Sequence, residues 1–373
     1  MIARIDPVAD RTAFLEAWRR LYAAADAPSF YQSPAWFAAW LAGKPGGVTV
    51  YALRIEQEES PALMAAFGLS DQRRPPLIGA RQACCLEFGD PARDAVYVEF
   101  NDFLVAGGVD GAELRREAAA ALFLTLKEAD VFVFKNARPM LMEAVGEAAN
   151  AARLKACVIN TTPTFQGDLA AARPAGGFLK TVKGSAQEQV SRSMRLYSAR
   201  GDLRIEAAQT AEERRAAYAR IKALHAATWA RRGGSGVYAN PAFAAFHERL
   251  MQAAPEAVSL CTIFAGDDII GGLHNFIHRD RVLNYQSGFR YEDDNRLKPG
   301  LVSHTLAAQH YLDAGYNVYD FLAGKARYKK SLGAEGETLS TVVIERPGVR
   351  AKVRSGLKRL KAAAGRSGGT RRT

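Results

Sequence analysis

The sequence predicts an α/β (α+β) protein made of two similar halves. Three observations predict it. The chain has 373 residues, more than the ~100–200 residues of one ordinary domain. The hydrophobic period switches repeatedly between two residues and 3.6, so strands and helices alternate. Each half reads as hairpin strands, then a helix, then a short strand, a weak repeat of architecture without alignable identity. With 48% apolar and 24% charged residues, a disordered, collagenous or low-complexity chain is excluded.

The first half opens with helical period over Ala13–Ala25, with Phe14, Trp18 and Leu21 on one face. Ser33-Pro34 is an N-cap and first-turn pair for a helix carrying Trp36, Phe37 and Trp40. Strands follow over Val48–Glu56 and Ala62–Leu69, and Ala95–Val105 is strand-like. Ala112–Glu128 is a helix with Leu114, Ala118, Leu122 and Leu126 on a stripe. Val131–Phe134 is a short buried strand and Pro139–Ala152 a helix. The Thr/Pro/Gly/Ala-rich stretch Thr161–Pro174 reads as a linker. Domains are therefore expected over 1–165 and 175–345, with a tail over 346–373.

In the second half, Phe178–Arg204 is basic and polar, and helices cover Ala211–Trp229 and Pro241–Ala253. Three strands separated by tight turns (Val258–Ala265, Ile269–His278, Arg281–Phe289) form an antiparallel meander. The loop Arg290–Lys298 leads to a helix from Pro299 to Ala314, closed by Gly315, and Asn317–Leu322 is the next strand.

The formal net charge is +11, but it is concentrated. Ten Lys/Arg and no acid lie between Arg346 and the end, leaving +1 for the rest. Val349, Val353, Leu357, Leu360 and Ala364 give this tail a basic amphipathic helix, and a disordered end follows Gly365. The helix reads either as a contact for an anionic membrane surface or RNA, or as a terminal helix packed on the body. No apolar run of 18 residues and no signal-peptide pattern is present. The expected location is cytoplasmic, with a peripheral inner-membrane contact as an option. Cys84, Cys85, Cys157 and Cys261 lack disulfide or zinc spacing and read as small buried hydrophobes.

The last helix of the second half joins two strands expected to lie side by side and parallel. Its first turn contains Lys298, Pro299, Gly300 and Leu301, with Arg296 beside it. Free N–H groups, the helix dipole and these cations suit a pyrophosphate, and the same Pro-Gly pair also suits a plain loop end.

Several motifs carry a resemblance. Trp229-Ala-Arg-Arg-Gly, His274-Asn-Phe, Tyr285-Gln-Ser-Gly-Phe, Lys298-Pro-Gly and above all Tyr319-Asp-Phe-Leu-Ala-Gly-Lys-Ala-Arg-Tyr-Lys-Lys resemble the GNAT-like acyltransferases of the FemAB/CelD type. Phe30-Tyr-Gln-Ser-Pro-Ala-Trp-Phe resembles that family's opening, and the resemblance covers most of 28–345. It implies two tandem GNAT-like domains, each a mixed, mainly antiparallel sheet flanked by helices. It also implies an acyl-CoA or aminoacyl-tRNA donor and transfer to an amine or hydroxyl. Where the family carries a tryptophan after the Tyr-Lys pair, this chain has Ser331-Leu332-Gly333, so the acceptor wall is expected to differ.

Acyl transfer needs a held acceptor, a place for its proton, and support for the oxyanion and leaving thiolate. Candidate catalytic residues are His274, Asp320, Tyr285 and Tyr328. His274 and Asp320 read as proton acceptors, or as a hydrogen-bonded histidine and a carboxylate paired with Lys325, Arg327 or Lys329. The tyrosines read as proton donors to sulfur, or as core residues. Arg296, Lys298, Pro299, Gly300 and Leu301 are the donor-binding candidates. His225, Trp229, Gly324 and Lys329 are assigned to the acceptor side. Ser185–Arg204 reads as an anionic-glycan contact or as a solvated helix. No GxSxG, Walker A or GxGxxG pattern occurs, and His274 and His278 on one strand lack a third metal ligand. The expectation is an acyl-CoA-dependent transferase, without metal, acting on a sugar or cell-envelope polysaccharide precursor. The alternatives are a Fem-type aminoacyltransferase using aminoacyl-tRNA and a non-catalytic CoA-binding scaffold.

Overall fold

The structure is a computed structural model describing residues 2–58, 60–72 and 79–348. It divides into two compact units. Unit 1 holds the chain up to Phe37, Leu41–Thr161 and the stretch from Ser340; unit 2 holds Ala38–Trp40 and Thr162–Leu339.

In chain order the elements begin with β1 (Ala3–Pro7), α1 (Arg11–Ala24), α2 (Pro34–Ala42), β2 (Thr49–Gln57), β3 (Ser60–Gln72), β4 (Ala80–Cys85) and β5 (Leu104–Val105). Next come α3 (Gly111–Thr125), β6 (Val131–Ala137), α4 (Pro139–Ala151), β7 (Lys155–Asp168), α5 (Leu169–Ala172), α6 (Phe178–Thr181) and α7 (Ser185–Ser198). Then follow β8 (Leu203–Ala207), α8 (Ala211–Ala230), α9 (Pro241–Ala253), β9 (Val258–Ala265), β10 (Asp268–His278) and β11 (Arg281–Phe289). The last are α10 (Pro299–Asp313), β12 (Val318–Ala323), α11 (Arg327–Leu332) and β13 (Ala334–Glu345).

Unit 1 pairs β1, β2, β3 and β4 antiparallel in sequence order. It then steps to β6 in parallel, through α3, and closes with Ser340–Glu345 of β13 antiparallel to β6. Its aromatic core stacks Trp18 on Phe37 at 4.0 Å between centroids, with Phe14 edge-on to both.

Unit 2 repeats the plan. Strands β8 to β11 pair antiparallel in order. Helix α10 crosses over to β12, which pairs parallel to β11, and β7 closes that edge antiparallel to β12. Helix α8 starts at a capping box, in which Thr210 Oγ1 accepts from Glu213 N–H and the Glu213 carboxylate accepts from Thr210 N–H. Asn240 caps α9 ahead of Pro241.

The mixed α/β fold, the meander and the parallel β11–β12 pair agree with expectation. Three local readings do not. Over Ala95–Val105 only Leu104–Val105 is strand, because Tyr97 and Phe100 adopt φ of 45° and 49° and break the extended chain. The stretch 161–174 is not a linker but the end of β7 and helix α5. Cys157 is exposed, whereas the other three cysteines are buried. The tail helix expected after Arg346 lies almost wholly outside the described residues. Among those residues no helix is long and apolar enough to cross a membrane, and no cluster of His, Cys, Asp or Glu is placed to hold a metal.

Candidate functional site

Strands β11 and β12 pair only where Arg281, Val282 and Leu283 face Val318, Tyr319 and Asp320. Past Leu283, β11 runs on to Phe289 along β10, not β12. Opposite it, His274 faces Gln286 and Asn275 faces Asn284, so Tyr285 is an extra residue in β11. Such a bulge bends a strand and re-aims its side chains. The result is a gap between two parallel strands, at the start of α10.

One face of this gap is an aromatic and imidazole cluster from α8, α9, β10 and β11. Trp229 Nε1 donates to His225 Nε2 at 2.9 Å, one helical turn apart on α8. The hydroxyl of Tyr238 lies 3.1 Å from His274 Nδ1. Rings of His247 and Tyr285 stand 4.9 and 5.6 Å from that of His274. Gly288 of β11 lets α8 come close: a Cβ there would sit 2.4 Å from the backbone nitrogen of His225. Burial disfavours the imidazolium. It pushes His274 down to about 3 and, with the Arg232 charge, His225 down to about 4. His247 is also lowered, by burial and by its neighbour His274.

The other face belongs to α10 and α11. His304 is fully buried. Its Nδ1 lies 3.1 Å from the Tyr319 hydroxyl, and Tyr328 stacks on its ring at 4.7 Å. Burial, with Lys329 adding repulsion, lowers His304 to about 3. Lys329 is itself buried and donates to the carbonyl oxygens of Leu322 (3.3 Å) and Ala323 (2.6 Å). Its Nζ would lie 3.0 Å from a Cβ on Gly324, whose φ is +145°. The partner of Asp320 is Arg281, not Lys325, Arg327 or Lys329. Asp320 accepts from Arg281 Nη2 at 2.9 Å and from Leu322 N–H at 2.8 Å. The parallel register places Arg281 opposite Val318, close enough to reach it. Burial raises the Asp320 carboxyl while Arg281 opposes the rise.

The first turn of α10 is less open than its sequence suggests. The N–H of Lys298 donates to Ser193 Oγ of α7 at 2.8 Å. The space in front of Gly300 holds the Phe289 ring, 3.3 Å from where a Cβ would sit. Leu301 packs on the core. Arg296 is turned to its own loop, bonding Asp294 through Nε and Nη2 at 2.8–3.1 Å.

The candidates from sequence thus fall into separate groups. His225, Trp229, His274 and Tyr285 share the α8 face, while Tyr328, Lys329 and Gly324 share the α10 face with Lys298–Leu301 nearby along that helix. Arg296 joins neither. Sequence reasoning missed His304 and His247. Each sits on the buried stripe of its helix, His304 with Ala308 and Tyr311, His247 with Phe243 and Leu250. That stripe is the signal that finds a polar residue inside a core. A separate cavity of 460 Å³ opens beside β7, the start of α7 and α11, with Lys183 and Lys330 in its lining.

Residues 184–330, from α7 through most of α11 in unit 2, match the family model described as acetyltransferase (GNAT) domain. No curated protein matches the sequence. The crystal structure of FemX is similar at 10% identity and a TM-score of 0.59, with 93% of this chain and 98% of that one covered. The C-terminal domain of a putative lysylphosphatidylglycerol synthetase from Agrobacterium fabrum aligns at 11% identity and TM-score 0.52 over 94% and 95% of the two chains. L-PGS from Bacillus licheniformis aligns at 9% identity and TM-score 0.52 over 90% and 92%. These likenesses extend over both units and bear out the FemAB-like, two-domain GNAT fold.

Proposed function

We propose that unit 2 moves an acyl group from acyl-CoA directly to an amine or hydroxyl of a sugar or cell-envelope precursor, with no covalent enzyme intermediate. The observation that carries this reading is the gap between β11 and β12 inside the matched GNAT domain. Past Leu283, β11 offers backbone groups on which an extended acyl-bearing arm pairs as an added strand. The first turn of α10, with Lys298 beside it, supports the pyrophosphate, and Phe289 turns aside from Gly300 to admit it.

The acceptor enters on the α8 face. Trp229 is 39% exposed and supplies a flat wall. His225 behind it is neutral at pH 7, and its Nε2 takes the proton that the acceptor loses once the Trp229 indole N–H, which holds that nitrogen in the free protein, has let go of it. Transfer forms the new C–N or C–O bond and breaks the C–S bond, and Tyr328 protonates the departing thiolate. His274 and Tyr238 hold the wall rather than touch the acceptor. Thermal stabilisation by acetyl-CoA and longer acyl-CoAs, followed by CoA release with amino-sugar acceptors, tests the reading. Stabilisation by none of these thioesters overturns it.

The second reading keeps the same gap but takes the acyl group from aminoacyl-tRNA, and the likeness to FemX favours it. The basic residues after Arg346 then hold RNA. A gel shift with charged tRNA at physiological salt, lost on removing residues 349–373, is its expected result.

A further inference from the structure

A buried polar chain crosses the sheet of unit 2 on its α10 face, and the acyl-transfer reading leaves it unused. It begins at Ser259 Oγ, 2.7 Å from the Tyr311 hydroxyl on α10. Asn275 Nδ2 donates to that hydroxyl at 3.0 Å. Asn284 Nδ2 donates to Asn275 Oδ1 at 2.8 Å. Ser287 Oγ donates to Asn284 Oδ1 at 3.1 Å. Asn275 and Asn284 are buried, at 0% and 4% exposure, so water does not compete for them. Ser287 is only half-buried. It lies on β11 beyond Leu283, where β12 has already parted.

The chain has a direction. Each amide spends its N–H toward Tyr311 and receives a proton from the next residue outward. The serine hydroxyl owns one proton and two lone pairs, and its proton points inward. What remains at the gap is a preorganised acceptor whose orientation is fixed by groups that water cannot reach. Ordering Ser287 in advance removes a cost that binding would otherwise carry.

We infer that Ser287 accepts a hydrogen bond from an amide N–H of the donor's arm, and that Asn284 and Asn275 are positioning residues for it. This rests on the acyl-CoA reading of the gap. It selects donors whose thioester sits on an amide-bearing chain, which CoA provides and a plain nucleotide does not.

Calorimetry with CoA and with adenosine 3′,5′-bisphosphate, which keeps the 3′-phosphate and one 5′-phosphate but lacks the second phosphate of the pyrophosphate and the arm, tests the inference. Ser287→Ala is expected to weaken CoA about fivefold, the scale of one hydrogen bond, and to leave the bisphosphate unchanged. Ser287→Thr keeps the hydroxyl and restores CoA binding. Asn284→Ala frees the Ser287 proton to rotate and weakens CoA by about twofold. Equal CoA affinity in wild type and Ser287→Ala, or equal weakening of both ligands, overturns the inference while the acyl-CoA reading stands. A wild-type protein that binds neither ligand overturns both, and at the earlier step.

Discussion

The two units share one wiring and treat its weak point in opposite ways. In each, a parallel step follows four antiparallel strands, and the two parallel strands separate after three paired residues. Unit 1 closes its gap with chain. Asn101 bridges back to β6, its N–H donating to Asn136 O and its carbonyl accepting from Arg138 N–H, while its side chain donates to Cys85 O. Behind it, buried Glu87 pairs with Lys135 at 2.8 Å. Unit 2 lets β11 run past β12 and leaves imidazoles and phenol rings around the gap. A shared fold therefore does not mean a shared site: in unit 1, chain from residues 86–103 returns to β6 beside the parted strands, a closure that β12 does not receive past Leu283 of β11 in unit 2.

The contrast extends to charge. All six histidines of the chain fall within unit 2, whereas the gap of unit 1 is packed with carboxylates and a lysine. The largest expected effect follows. His225, His274 and His304 are held at about 4, 3 and 3, below the ~6.5 of an unfolded histidine. Between these values the unfolded chain binds more protons, so stability falls as pH drops below ~6.5. At pH 5 each of the three costs about 2 kcal/mol. Burial raises Glu87 to about 8, so unit 1 has the opposite sign: the folded form binds more protons between ~4.5 and 8, and stability falls as pH rises through that range. Scanning calorimetry from pH 4 to 9 should show unit 2 melting earlier on the acid side and unit 1 on the alkaline side. His274→Phe should flatten only the acid slope. A single transition moving the same way at both ends would break the comparison.

Gly288→Val comes next. Its Cβ would press the α8 backbone at 2.4 Å, which is backbone rather than a side chain able to swing away. Overpacking of this kind costs about 3 kcal/mol and moves His225 and Trp229 off β11. Acceptor turnover should fall at least about a hundredfold, since misplacement by about 1 Å costs that much. Initial rates measured below the lowered melting temperature check this, and near-normal turnover would detach the α8 face from the chemistry.

The same contacts show what the sequence could carry. Helix starts were legible at Pro34, Pro139, Pro241 and Pro299, because proline suits a first turn. The meander and the parallel β11–β12 pair were legible from period and loop length. Strands β1, β4, β7, β8 and β13 were not. Strands β1 and β8 are short edges with polar faces. Strand β7 runs exposed over 155–161, so it lacks a buried alternation, and β13 begins with polar Ala334–Thr338. The closing strand of each sheet comes from a distant part of the chain, Ser340–Glu345 in unit 1 and Thr164–Asp168 in unit 2, which no local pattern reveals. At the site, the pairing of Trp229 with His225 follows from helical spacing. The pairing of Asp320 with Arg281, 39 residues away, depends on register that only the folded sheet supplies.

Asn101→Leu is a smaller probe of the closed gap. It leaves Cys85 O without its donor and should cost about 1–3 kcal/mol. Because the loss lies in unit 1, acetyl-CoA affinity measured by calorimetry should not change.

The smallest effect concerns Arg296, which charge alone would place on the donor phosphate. Its guanidinium is already held by both oxygens of Asp294 within a two-residue loop step, where Arg296 is largely exposed and Asp294 half-buried. To reach a phosphate it must leave that carboxylate, exchanging one screened contact for another. Arg296→Ala should therefore change acetyl-CoA affinity by less than about twofold, near 0.4 kcal/mol, at both 50 and 500 mM salt. Among the described residues no carboxylate pairs with Lys298 at the mouth of α10, so Lys298→Ala should weaken the donor several-fold at 50 mM salt and less at 500 mM. A tenfold loss in Arg296→Ala at low salt that persists in the double change Arg296→Ala with Asp294→Ala, so that it does not come from the uncovered Asp294 carboxylate, would show that the ion pair opens on binding and would return Arg296 to the donor site.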